Sequence, residues 1–122
     1  NKGPTVTVIS ANYNVAGGFT KLEWKSSENK EYVGNDPSAF IFKLGDDDSI
    51  ETFECHKQSH VIETGKNRGP VFGQGDIDLS NPKSGFSLFG NSYTLPEGVE
   101  EDSEMANFYL FGEEQVDDFE VF

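Results

Sequence analysis

In the opening run PTVTVIS, Val6, Val8 and Ser10 alternate with Thr5, Thr7 and Ile9. A period of two over β-branched residues predicts a strand across 4–10. Gly17-Gly18 predicts a bend or bulge, and Phe19–Trp24, FTKLEW, a second extended run. Lys25–Ser38 is polar and ends in Asp36-Pro37, a loop signal. Ala39–Leu44, AFIFKL, predicts a strand buried on at least one face, Gly45–Asp48 a turn, and Ser49–His56 the return strand of a hairpin.

Further along, Val61-Ile62 predicts a short strand and Gly65–Gly75 mostly turn, with Val71-Phe72 as an apolar plug. Ile77–Leu79 is short and extended, and Ser80–Gly90 is a loop with Phe86, Leu88 and Phe89 to bury. Residues 96–107 form an acidic insertion loop, and FYLF (108–111) and FEVF (119–122) predict two closing strands. No segment sustains apolar spacing of three and four residues, which argues against long helices. Short strands punctuated by Gly, Pro, Asn and Asp predict a mainly β fold, a two-sheet antiparallel β-sandwich in one domain spanning 1–122. No internal repeat is visible.

Composition supplies the core that such a fold needs. Hydrophobic residues are 34% of the 122, but 11 Phe, 4 Tyr and 1 Trp raise the area available for burial. Each buried aromatic contributes about 1.5–3 kcal/mol of transfer free energy. The net charge of −13 works against nucleic acid and anionic membrane surfaces as partners. The longest basic cluster is only Lys66-Asn67-Arg68. Charge is also uneven: no Lys or Arg follows Lys83, whereas ten carboxylates lie from Glu97 to Glu120. Glu100, Glu101, Asp102 and Glu104 are therefore the candidate contact residues for a basic partner, the plain alternative being a solvated acidic loop. Cys55 is the sole cysteine, so no intrachain disulfide forms, and an intracellular, cytoplasmic setting is expected. No apolar run approaches the ~20 residues that cross a bilayer. The chain begins at Asn1 without Met, as expected of a domain excised from a longer polypeptide.

Candidate chemistry is sparse. Cys55-His56 with His60 lacks the ligand number and spacing of a zinc site. On a strand, His56 points away from Cys55, which leaves the thiol without a neighbouring base and reads as a small buried apolar group. A redox role for Cys55 is the alternative. Asp46–Asp48 and Asp76-x-Asp78 offer oxygen ligands but miss the twelve-residue calcium loop, so acidic turn residues are the default. Gly73-Gln74-Gly75 is too short for a nucleotide fingerprint. Trp24 with Tyr13 and Tyr32 would suit a carbohydrate. No cofactor is expected.

Five short motifs, taken in order, carry a family resemblance. They are Val15-Ala16-Gly17-Gly18-Phe19-Thr20 followed by Trp24; Asp36-Pro37-Ser38-Ala39-Phe40-Ile41-Phe42-Lys43-Leu44; Gly69-Pro70-Val71-Phe72-Gly73-Gln74-Gly75-Asp76-Ile77-Asp78-Leu79; Gly90-Asn91-Ser92-Tyr93; and Asp118-Phe119-Glu120-Val121-Phe122. Together they resemble the TLDc domain, from about Lys2 to the last residue. The resemblance implies two antiparallel sheets with short helices and a non-enzymatic domain that binds proteins. It also implies links to oxidative-stress protection and to regulation of the proton pump V-ATPase, a subunit of which would be the partner. The family's usual helical stretch before the first of these strands is missing here, or lies in a preceding segment.

Within the motifs, Gly17 and Gly18 allow positive φ or close backbone approach, and Pro70 suits the start of a strand or an edge. Phe72, beside Gly73, can insert into the core. Glu120 has two readings. It faces solvent on the side of Asp118 and Phe122, or it is buried and accepts from loop amides near Gly73–Gly75.

Overall fold

The computed structural model describes residues 4–11, 14–24, 28–29, 31–45, 47, 49–65, 69–80, 87–112 and 116–122. Asp46, Asp48, Tyr13, Phe86 and the Lys66–Arg68 cluster lie outside them, and so does the part of each expectation that rests on them.

The alternation in the first run becomes β1 (Thr5–Ala11), whose Thr5, Thr7, Ile9 and Ala11 are buried while Val6, Val8 and Ser10 are half-buried on the other face. It pairs antiparallel with β2 (Asn14–Thr20) in one unbroken register from Thr5↔Thr20 to Ala11↔Asn14. No bulge interrupts it, so the Gly17-Gly18 expectation is corrected. The run Phe19–Trp24 is corrected too, since β2 ends at Thr20. Both glycines serve close approach instead. A Cβ on Gly17 would lie 1.9 Å from the Thr7 carbonyl oxygen and 2.7 Å from the Phe42 ring, and one on Gly18 would lie 2.6 Å from the Phe72 ring. One aromatic ring thus rests on each side of the sheet where side chains are absent.

The hairpin of β4 (Phe40–Leu44) and β5 (Ile50–Glu54) joins β2, and β9 (Asp118–Val121) joins β1. The first sheet runs β5-β4-β2-β1-β9. The second, β3-β6-β7-β8, is built from β3 (Glu31–Val33), β6 (Ile62–Thr64), β7 (Val71–Phe72) and β8 (Ile77–Asp78), all antiparallel. The expected two-sheet antiparallel sandwich is the fold. Its core draws Ile9, Ala16 and Ile41 from the first sheet and Ile62, Phe72 and Ile77 from the second. Phe72 is the pivot, fully buried and edge-on to Trp24 at 5.4 Å and to Tyr93 at 6.4 Å. The Trp24 indole N–H donates to Thr5 Oγ1 at 3.0 Å, which satisfies its polar tip.

Other departures have local causes. The polar stretch 25–38 contains β3, an exposed edge strand stabilised by pairing with β6 and not by its own pattern. FYLF is not a strand. Ser103 caps a single-turn helix, α1 (Glu104–Asn107), accepting from the Ala106 amide, and 108–112 continues as turns closed by Gly112 at φ +66°. Leu110 and Phe111 are both buried, which successive residues of a strand against one core could not achieve. Leu88, expected inside, is 42% exposed.

Candidate functional site

The acidic segment is shaped by its own local chemistry. Ser103 Oγ donates to the Glu100 carbonyl at 2.6 Å and accepts from the Ala106 amide at 3.1 Å, which fixes the entrance to α1. Asp102 adopts φ +60°, a left-handed conformation that aspartate tolerates better than most residues. Buried Ala106, Leu110 and Phe111 anchor the segment. Glu100, Glu101, Asp102 and Glu104 all face solvent, so the four candidate contact residues share one exposed turn. Beside them stand two apolar side chains that charge-based reasoning passed over: Met105, 61% exposed, and Phe108, 40% exposed. Nothing in the sequence sets them apart from the apolar residues that the core takes.

The candidate redox group sits elsewhere. Cys55 is buried at the end of β5, in a bridge with Tyr93, and its thiol donates to the Lys57 carbonyl at 3.4 Å. Burial pushes the thiol pKa up, so the nucleophilic thiolate is disfavoured. His56 is exposed and lies 3.3 Å from Thr94 Oγ1. His60 packs on the Tyr32 ring at 4.3 Å. The three do not converge. Among the described residues no group of three or more His, Cys, Asp or Glu gathers as a metal site. Trp24 is committed to the core and Tyr32 to edge strand β3, so they share no platform.

Two aspartates treated as turn residues do structural work that the sequence reading missed. Asp76 is fully buried. It accepts from the amides of Gly90 at 3.0 Å, Ser92 at 3.0 Å and Tyr93 at 2.9 Å. Burial pushes its pKa up, while these amides pull it down without fully offsetting the rise. The site needs Gly73, at φ +67°, because a Cβ there would meet Asp76 Oδ1 at 2.2 Å. Asp76 therefore ties 73–76 to 90–93, and the His56 and Lys57 amides donate to the Ser92 carbonyl, extending the tie to the end of β5.

Asp36 makes a second tie. It accepts from Thr20 Oγ1 and the Lys21 amide, both at 2.8 Å, and from the Ser38 hydroxyl at 2.5 Å. Burial raises its pKa, but the combined hydrogen bonds outweigh burial and lower it. It pins the end of β2 to the start of β4. Pro70 opens β7, as expected, with its carbonyl accepting from the Leu79 amide at 2.9 Å. Glu120 is exposed on β9 opposite Val8, so its buried reading is overturned; the role of a carboxylate on loop amides falls to Asp76.

Among the described residues no helix is long and apolar enough to cross a membrane. The family model described as "TLDc domain" matches residues 1–122. No curated protein matches the chain.

Proposed function

The chain belongs to the TLDc domain family, and from that premise we propose that it is a non-catalytic protein-binding module whose acidic turn receives a basic surface. The observation that carries this reading is the exposure of Met105 and Phe108 among Glu100, Glu101, Asp102 and Glu104. Carboxylates around an apolar pair supply the two terms of a protein contact, long-range steering and local burial. Three buried ionisable groups favour the same reading. Asp36 and Asp76 are occupied by backbone amides and Cys55 is held as a thiol, which leaves none of the three poised for bond-making. The resemblance suggests a V-ATPase subunit as partner, a role in oxidative-stress protection and a cytoplasmic setting.

The test is binding of the purified domain to isolated V-ATPase subunits by surface plasmon resonance. Affinity should fall as salt rises. Replacing Glu100, Glu101 and Asp102 together with lysine should weaken it at least tenfold, and Met105→Ala should weaken it without changing the salt slope. Binding that is unaffected by both sets of substitutions would move the contact off this turn.

A further inference from the structure

The chain between Thr94 and Asp117 is tied to the sheets unlike the strands on either side of it. The Thr94 amide donates to the Glu54 carbonyl and the Asp117 amide to the Ser10 carbonyl, both at 2.8 Å. Between these two ties, among the described residues, each backbone-to-backbone hydrogen bond closes within the segment: Val99 on Pro96, Asn107 on Ser103, Phe108 on Glu104, Tyr109 on Ala106 and Gly112 on Phe108. Residues 95–112 can therefore leave the sandwich without breaking a ladder bond. Packing holds them down instead. Ala106, Leu110 and Phe111 are buried, and Leu95 packs partly buried against the core.

Two side-chain hydrogen bonds add to that packing, and both reach one end of the first sheet. Cross-strand partners share a face, so Lys43 on β4 and Glu51 on β5, paired with each other and in line with buried Ala16, stand on its core-facing side. Asn14, two residues before Ala16 on β2, stands on the same side. Asn14 Nδ2 donates to the Phe111 carbonyl at 3.0 Å, and the Tyr109 hydroxyl donates to Glu51 Oε1 at 2.7 Å. The Tyr109 ring lies edge-on to Phe53 at 5.8 Å and 5.9 Å from Phe89, with Lys43 Nζ 5.8 Å from its centre. Burial and the Glu51 hydrogen bond push the hydroxyl pKa up to about 12, so it stays a donor at neutral pH.

We infer that residues 95–112 form a flap that opens as a unit ahead of global unfolding, with the Tyr109–Glu51 hydrogen bond as its latch. Local opening draws on segments with few backbone bonds to the rest of the fold, and among the described residues this one has none between its two ends. Closure seats Tyr109 over Phe53 and Phe89 and places the acidic turn, which the same segment carries. Glu51 is exposed while Tyr109 is half-buried, so the latch can part without stranding a buried carboxylate. A partner that binds the turn only in the closed flap would hold it shut. That consequence rests on the reading of the turn given above, whereas the flap itself does not.

Hydrogen exchange of the purified chain, followed amide by amide by NMR in increasing sub-denaturing urea, tests it. The Asn107, Phe108 and Gly112 amides should exchange at least about tenfold faster than those of Leu79 and Tyr93, and with a shallower urea dependence, because a local opening exposes less surface. Tyr109→Phe, which keeps the ring, should speed the three flap amides by about three- to tenfold. Glu51→Ala should match it, and the two together should add less than about twofold more, because both remove one bond. Glu51→Gln keeps an accepting oxygen and should stay within about twofold of the parent. The inference is overturned if the flap amides share the rates and urea slope of Leu79 and Tyr93, if Tyr109→Phe leaves them at the parent's rates, or if the effects of Tyr109→Phe and Glu51→Ala multiply. Saturating decalysine, as a basic probe, should slow the flap amides at least about threefold. Should decalysine not bind while the exchange pattern holds, the acidic-turn reading fails and the flap stands. Should it bind while those two effects multiply, the latch fails and the reading stands.

Discussion

Replacing Asp76 with alanine removes the acceptor that the amides of Gly90, Ser92 and Tyr93 share. Those donors are left where Ser92 and Tyr93 are fully buried. An orphaned buried donor costs about 1–3 kcal/mol, so three cost roughly 3–9 kcal/mol. Two effects oppose this: the carboxylate's own desolvation, several kcal/mol, disappears with it, and a water in the vacated space serves one or two amides. The balance is a loss of about 3–5 kcal/mol at neutral pH, in line with breaking a buried charged network from one side. Asp76→Asn keeps one accepting oxygen but turns an NH2 towards amide donors, and loses about 2–3 kcal/mol. Urea unfolding followed by Trp24 fluorescence measures both, because the indole packs edge-on to Phe72 in the core. For a slope of about 2 kcal/mol/M the midpoint of Asp76→Ala falls by ~2 M. The pH dependence has a definite sign. The folded pKa is raised above 3.8, so the Asp76 contribution is fullest below the unfolded value and declines as pH rises through the folded one. A loss of less than ~1 kcal/mol in Asp76→Ala at neutral pH would refute the clamp.

Asp36 carries the opposite pH signature: its folded pKa is lowered from 3.8, so its contribution is present above that value and lost as pH falls through the folded pKa. Asp36→Ala should cost about 2–3 kcal/mol at neutral pH in urea unfolding, and the cost should fade as pH falls through the folded pKa. Gly18→Ala forces a methyl to within 2.6 Å of the Phe72 ring and should destabilise by about 1–3 kcal/mol; Phe72→Leu in the same chain should recover part of that as a favourable coupling in a double-mutant cycle. Cys55 should react with DTNB at pH ~8 far more slowly in the folded protein than in urea, and peroxide consumption that vanishes in Cys55→Ser would instead assign the thiol a redox role.

The parts of the fold legible in the sequence are those with a local apolar signal. β1 declares itself through a period-two pattern, β4 through its apolar run and β5 as the return strand of the hairpin, and Phe119–Val121 does so through apolar residues at the far end. β3 is illegible because Glu31 and Tyr32 are exposed and its pairing partner lies about thirty residues away. FYLF misleads because four large apolar residues in a row fit a strand as well as they fit a turn that packs Leu110 and Phe111 inward. Its arbiters are Ser103 as a cap and Gly112 as a stop. The acidic turn was readable as charge, but its apolar partners Met105 and Phe108 were not, since nothing local distinguishes an exposed Phe from a buried one. Asp76 was hidden by the prior that acids face water. The available signal was its place between Gly75 and Ile77, in a stretch where Phe72, Ile77 and Leu79 all go inside.

The residues that carry the family resemblance are largely occupied in holding the fold together. Asp36 belongs to one motif and secures β2 to β4, while Asp76 in another grips the amides of Gly90-Asn91-Ser92-Tyr93. Gly17 and Gly18 seat Phe42 and Phe72. A match over these positions therefore identifies an architecture and leaves its partner to be read from other surfaces. The proposed contact lies on such a surface, the turn around Met105, where exposed side chains can change at little cost to folding. Stability and binding should then separate by residue. Substitutions at Asp76 or Gly18 lower binding only in proportion to the unfolded fraction, whereas substitutions at Glu101 or Met105 change affinity at an unchanged urea midpoint. A folded Asp76 variant that lost binding outright would break this division and place the loop of Gly90–Tyr93 in the contact itself.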